Sequence, residues 1–309
     1  MPVPVFTHPD CLRHDAGAGH PESPARLRAV LDRLERAPAA RLAEVAAAEP
    51  DAPALLAVHP EAYLARLAAL AARGGGRLDE DTGMNAASWR AALGGLGATL
   101  AAVEHAHATA HAFAAVRPPG HHALAETAMG FCLLNNVVVA ARHAQALGRG
   151  RVLIVDWDVH HGNGTQALVE HDASVRFVSL HQWPWYPGTG AADERGVGNV
   201  FNVPRPPGLP PETYVADLWA AVDAATTGWR PELILLSAGF DAMAGDPLGG
   251  FTLEPEHYAE LARRLHARVP DAPIVGVMEG GYAPARLAEG VAAVVQALDA
   301  LAPSPSTTP

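Results

Sequence analysis

Apolar runs recur at 111–116, 152–155, 175–179, 233–237 and 273–278, that at 152–155 rich in β-branched residues. Segments with helical periodicity separate most of them, around 135–147, 162–171, 212–226, 255–268 and 284–302. Strands that are apolar on both faces must be buried on both, so this alternation predicts an α/β fold: a parallel sheet with helices on either side. No stretch of linker composition interrupts it. One domain is therefore expected over residues 1–302, followed at 303–309 by a Pro/Ser/Thr tail expected to be disordered.

Upstream, residues 4–8 suit a short strand, and Ser23 with Pro24 forms an N-cap and first-turn pair. The helix they open carries Leu27, Val30, Leu31 and Leu34 on one face. A second helix starts near Pro60 and stops at Gly74-Gly75-Gly76. An Ala-rich helix from Ser88 to His105 contains Gly94, Gly95 and Gly97, which either weaken it or permit close packing.

Ligands bind beyond the carboxyl ends of strands in open α/β sheets. Here the five ends deliver Arg117-Pro118-Pro119-Gly120-His121-His122, Asp156-Trp157-Asp158-Val159-His160-His161-Gly162-Asn163-Gly164, an aromatic loop at 180–190, Gly239-Phe240-Asp241, and Glu279-Gly280-Gly281-Tyr282. Taken singly, each is an ordinary loop; together on one edge they point to a reaction centre. The carboxylates of Asp156 and Asp158, spaced two apart, repel unless a cation or imidazolium lies between them. Asp158, His160 and Asp241 offer two oxygens and one nitrogen, a set that leaves coordination positions open for water and substrate, as catalytic zinc requires. Water on such an ion is acidified towards neutrality. The adjacent His121 and His122 suit a cationic partner and a general base. Asp156 and Asn163 are natural acceptors for the two imidazoles, and Tyr282 can donate its phenol proton to a developing oxyanion.

Composition narrows the function. The net charge of −11 opposes non-specific nucleic-acid binding and is compatible with a cationic substrate such as a basic peptide or a polyamine. The two cysteines, Cys11 and Cys132, match no zinc-knuckle or disulfide framework. No signal-peptide pattern opens the sequence, and no apolar run reaches the roughly 18 residues of a membrane span. A cytoplasmic protein is expected, with no membrane partner.

At these residues the sequence resembles the zinc-dependent histone deacetylase and acetylpolyamine amidohydrolase family, closest to its class II branch and bacterial relatives. The likeness runs from His20-Pro21-Glu22 to Tyr282, through the motifs at 117–123, Gly130-Phe131-Cys132, 156–165 and 237–242. It implies the arginase-like fold, a single domain around a mostly parallel sheet of about eight strands. It also implies one zinc per chain on Asp158, His160 and Asp241, His122 as general base and acid, and His121 as its electrostatic partner. Asp156 would pair with His121 and Asn163 with His122, while Tyr282 binds the substrate carbonyl. Phe131 and Tyr186 match the aromatic pair of an acyl-lysine tunnel, with Gly130 at its wall and Leu248 near its mouth. Asp79 matches a rim aspartate that holds the substrate backbone. A structural potassium is implied on the Asp156, Asp158 and Ser179 side chains and the main-chain carbonyls of His160 and Leu180.

The resemblance implies an amidohydrolase that removes acetyl or another acyl group from an amine, foremost acyl-lysine in a peptide or protein. The alternative is a deacetylase of acetylpolyamines, against which the apolar Leu248 argues unless another loop supplies the charge. A two-metal ureohydrolase is poorly supplied, since only Asp246 lies near Asp241 in sequence. A non-catalytic acyl-lysine binder would not need Tyr282, the histidine pair and an open metal position together. The sequence leaves acyl length and oligomeric state open, a homo-oligomer included.

Overall fold

The computed structural model describes residues 2–108 and 111–301. The tail at 303–309 lies outside the described residues. Among the described residues ten strands occur: β1 (Val3–Thr7), β2 (Ala40–Glu44), β3 (Gly75–Arg77), β4 (Gly83–Asn85), β5 (Ala112–Ala114), β6 (Val152–Asp156), β7 (Val175–Gln182), β8 (Val200–Arg205), β9 (Leu233–Ala238) and β10 (Ile274–Met278). The helices are α1 (Pro24–Leu34), α2 (Pro53–Leu56), α3 (Glu61–Ala72), α4 (Ser88–Ala108), α5 (Asn136–Ala146), α6 (Asn163–Val169), α7 (Pro211–Thr226), α8 (Pro255–Arg268) and α9 (Pro284–Leu301).

Eight strands form one sheet in the order β2-β1-β5-β10-β9-β6-β7-β8, every pair parallel, while β3 and β4 make a separate antiparallel pair. The period-2 geometry of strands sorts the apolar residues onto two faces. Leu153 and Val155 of β6 join one core with Ile234 and Leu236 of β9, under α1, α7, α8 and α9. Val152 and Ile154 join the other with Leu233 and Leu235, under α3, α4 and α5. The five apolar runs are the central strands, as their uninterrupted hydrophobicity requires.

The strand expected at 4–8 forms at Val3–Thr7, with His8 capping the turn that follows, and the main helices also form, with three refinements. Ser23 occupies the N-cap position of α1, yet its side chain makes no capping bond. The glycines of α4 serve close packing, since a Cβ at Gly97 would collide with the main chain of Ala46–Ala48. The sheet edges β2 and β8 and the β3–β4 pair carry no strong apolar run and were not among the sequence expectations.

Because the eight strands run parallel, their carboxyl ends all lie at one edge. The loops after β5, β6, β7, β9 and β10 meet there.

Candidate active site

β6 ends at Asp156, so Asp158 lies beyond the strand and the period-2 relation of the two carboxylates does not extend to it. They face different partners. Asp156 Oδ2 lies 3.0 Å from His121 Nδ1, and His121 Nε2 lies 3.8 Å from Asp158 Oδ1. An imidazole therefore stands between the two carboxylates. Burial opposes its charge, but Asp158 and Asp156 overcome that and push His121 up to about 10.

Asp158, His160 and Asp241 are buried, and one ligand-type atom from each lies within 4.8 Å of the others. Main-chain groups orient the acids: Gly280 N–H donates to Asp158 Oδ2 at 2.9 Å, and Val159 N–H to Asp241 Oδ1 at 2.8 Å. Gly280 must lack a side chain, because a Cβ would overlap both carboxylates. His160 Nδ1 is 3.0 Å from Asp158 Oδ1 and 3.2 Å from Asp241 Oδ2. Its one proton is taken by the nearer oxygen, and Asp241 Oδ2 is left buried without a hydrogen-bond partner. Burial and then the charge of Asp158 push Asp241 up to about 7. An orphaned carboxylate oxygen facing an imidazole nitrogen and a second carboxylate fits a divalent cation. The O, N, O donor set suits zinc, with Nδ1 deprotonated as the third ligand.

His122 Nδ1 lies 2.7 Å from Asn163 Oδ1. The amide oxygen can only accept, so Nδ1 carries the proton and Nε2 keeps its lone pair. Burial and the neighbouring His121 and His160 hold His122 well below the usual histidine range. His122, His160 and Tyr282 line one cavity of about 190 Å³ with Gly130, Phe131, Tyr186, Leu248, Trp185 and Asp81. The Phe131 and Tyr282 rings meet edge to face, with centroids 5.7 Å apart, and Tyr186 meets His122 similarly at 5.1 Å. A Cβ on Gly130 would run into the His122 ring, and Phe131 itself sits at φ 68°, a left-handed conformation that a residue with a side chain keeps only when its surroundings enforce it.

The carboxylate that reaches this cavity is Asp81, not the expected Asp79. Asp79 Oδ1 instead accepts from Asp81 N at 2.9 Å and Thr82 N at 2.5 Å, so its side chain builds the turn. Thr82 Oγ1 in turn accepts from Phe131 N at 3.0 Å, coupling that turn to the tunnel aromatic. Sequence reasoning also passed over Trp185, whose indole N–H donates to Leu248 O at 2.9 Å, and the role of Asp246. Asp246 Oδ2 accepts from Tyr282 N at 2.6 Å and Oδ1 from Leu248 N at 2.9 Å, so it is occupied as a main-chain anchor. Among the described residues no second cluster of metal-ligand type accompanies the first.

Behind Tyr282 lies a fully buried charge network. Glu22 pairs with Arg26 at 3.0 Å and Arg117 at 2.5 Å. Arg26 donates to Gly281 O at 2.6 Å, and its guanidinium sits 4.7 Å above the Tyr282 ring.

On the potassium expectation, Ser179 Oγ lies 3.0 Å from His181 Nδ1, and His181 Nε2 lies 3.0 Å from Gly190 O. The carbonyl fixes the proton on Nε2, so Ser179 donates to Nδ1 and keeps its lone pairs free.

The parallel α/β sheet carries a buried Asp-His-Asp cluster that could hold a metal ion, beside a histidine pair, an arrangement of the kind one class of hydrolases uses. Comparison with known proteins identifies which one: the histone deacetylase domain profile matches residues 20–298, and this chain belongs to that family. It is 34% identical to a probable deacetylase of Archaeoglobus fulgidus, over 91% of this chain and 82% of that one. It is 38% identical to a histone deacetylase-like amidohydrolase of Pseudomonas aeruginosa, over 87% and 74%. A human protein named polyamine deacetylase HDAC10 is 37% identical, over 90% of this chain and 44% of its own. The crystal structure of the HDA15 HD domain superposes with a TM-score of 0.90 at 36% identity, covering 96% of this chain and 90% of that one. The family is one of deacetylases and amidohydrolases.

Proposed function

We propose that this protein is a zinc-dependent deacylase acting on the side-chain amide of acyl-lysine in a peptide or protein. The observation that carries it is the orphaned Asp241 Oδ2 beside His160 and Asp158, at the foot of the cavity where His122 presents an unprotonated Nε2. Asp158, His160 and Asp241 would hold the ion, which when bound supplies Lewis-acid polarisation and a lowered water pKa. His122 Nε2 takes a proton from the attacking water, and the Asn163 oxygen steadies the imidazolium that results. His121, held charged by Asp156, adds positive potential beside the reacting carbonyl. Tyr282 donates its phenol proton as a hydrogen bond to the amide oxygen, a contact that strengthens as negative charge develops there. The protonated histidine then delivers its proton to the leaving amine. Gly130, Phe131 and Tyr186 enclose the aliphatic stem of the substrate, with Leu248 at the mouth. The potassium ion belongs to this reading too, held by Asp156, Asp158, Ser179, His160 and Leu180. So does a cytoplasmic location, with which two buried free thiols accord.

Asp81 favours a second reading. Its exposed carboxylate joins the cavity lining from a loop other than that of Leu248, so it can serve a peptide N–H or the ammonium of an acetylated polyamine. One zinc-loaded preparation assayed on acetyl-lysine peptides, longer acyl-lysines and acetylpolyamines decides between them. The peptide is expected to have the highest kcat/KM, and inertness towards all three classes rejects the enzyme reading. Asp81→Asn is expected to raise KM for the peptide about tenfold, the scale of one charge-assisted hydrogen bond. A loss confined to the polyamine reverses the assignment.

A further inference from the structure

Glu279 is the first residue beyond β10 and is completely buried, next to the strand whose loop carries the histidine pair. One carboxylate oxygen, Oε2, accepts from Gly120 N at 2.6 Å and from His121 N at 3.2 Å. Two successive main-chain N–H groups converging on one oxygen form an anion-binding nest, here filled by the protein's own side chain. The other oxygen, Oε1, has no hydrogen-bond partner. The main chain of Glu279 is fixed as well: its N–H donates to Ala238 O at 3.1 Å and its carbonyl accepts from Arg26 at 2.5 Å.

We propose that Glu279 is a positioning residue: its Oε2 fixes the Gly120–His121 main chain and thereby aims both imidazoles at the reaction centre. The remaining polar atoms of His121 are bound from other directions. Its carbonyl accepts from Thr165 N at 3.0 Å, and its ring meets Asp156. Glu279 thus supplies a direct constraint from the Tyr282 side, so that a single strand end bears on both the histidine pair and the tyrosine. Gly120 itself has no room for a side chain, because a Cβ there would press on Asn136 N and Leu134 O at 2.7 and 2.8 Å. The inference rests on His121 and His122 being the acid–base pair.

The orphaned oxygen makes the idea testable. In Glu279→Gln the amide oxygen can still accept from both N–H groups, and the amide nitrogen replaces an atom that had no partner. Glu279→Asp shortens the side chain by one methylene and withdraws the acceptor, and Glu279→Ala deletes it. Each variant is compared with the wild type in zinc-loaded form on an acetyl-lysine peptide, with metal content and the exchange rates of the Gly120 and His121 amides measured alongside. Expected are a fall in kcat of about 30-fold or more for Ala and Asp, the scale of an ångström-level misplacement. KM should stay within about threefold and bound metal unchanged, amide exchange should speed up, and Gln should restore kcat to within about fivefold. The proposal is overturned if Asp or Ala keeps kcat within about threefold, or if Gln is as slow as Ala, which would assign the effect to charge. Should Ala fail to fold, the Gln and Asp pair carries the same test. A wild type inactive on every acylated amine rejects the deacylase reading instead, while the amide-exchange contrast between Gln and Ala still reports on the clamp.

Discussion

Tyr282 enters the cavity on a turn that is bound from three sides: Asp246 on its main-chain N–H, Arg26 on the Gly281 carbonyl, and the Arg26 guanidinium over its ring. Burial pushes its phenol well above the usual range, with Arg26 the largest opposing influence, so it stays a hydrogen-bond donor at neutral pH. Tyr282→Phe is expected to lower kcat by about 10²-fold or more, the cost of removing one oxyanion donor, with bound zinc unchanged by elemental analysis. An unaffected rate would remove the phenol from the reaction. The residue types of the site were legible because each chemistry favours few side chains: Asp and His suit a zinc-type cation, and an imidazole suits a general base at neutral pH. Asp79 and Asp81 were not separable in the same way. Two carboxylates two residues apart in a turn differ only in which one folds back onto its own backbone, and composition does not encode that.

At the scale of elements, the central strands announced themselves through uninterrupted apolar runs, whereas β2 and β8 did not. Both are edge strands, β2 with no fully buried residue and β8 containing Pro204. Such strands are held by ladder hydrogen bonds more than by side-chain burial, so their sequences carry little signal. The link between α1 and the β10 loop was likewise hidden. Glu22, just before α1, was read only as part of a motif, yet it is the buried hub joining Arg26 and Arg117. Burial opposes its charge, but Arg117, His14 and Arg26 hold its carboxyl well below the ordinary 4.5. A depressed carboxylate stabilises the fold fully above its unfolded value and loses that contribution as pH falls through the folded one. Denaturant unfolding should therefore show a Glu22-dependent loss of stability that begins below about pH 4.5. Glu22→Gln should cost about 3 kcal/mol at pH 7 and flatten that acid limb, since breaking a buried pair leaves two arginines uncompensated. An acid limb identical to that of the wild type would refute the hub.

For the whole molecule, the carboxylates crowded at one sheet edge predict that folding and binding of the proposed cation are linked. A chelator should abolish activity and lower Tm, and zinc at about 100 times its Kd should add about 2.7 kcal/mol to the unfolding free energy. A Tm indifferent to zinc would argue that the Asp-His-Asp cluster is not the binding site. All 22 basic residues of the chain are arginine. The proposed deacylation of lysine would find no side-chain target within this chain. Treatment with acetyl phosphate, under conditions that acylate lysines of a control protein, should leave its turnover unchanged. No helix among the described residues is long and apolar enough to cross a membrane.

The amino-acid sequence by itself determined the layer architecture and the kinds of chemistry present, because periodicity and residue type are local properties of the chain. It determined the identity of the cluster Asp158, His160 and Asp241 through motif spacing and resemblance. Only the tertiary structure decided how the acids are shared out. Asp156 serves an imidazole, Asp246 a tyrosine's backbone, Asp81 the cavity, Asp79 its own turn, and Glu279 the histidine loop. Each of these depends on which main-chain N–H groups from distant strands come within about 3 Å, and that distance is set by packing rather than by neighbours in sequence.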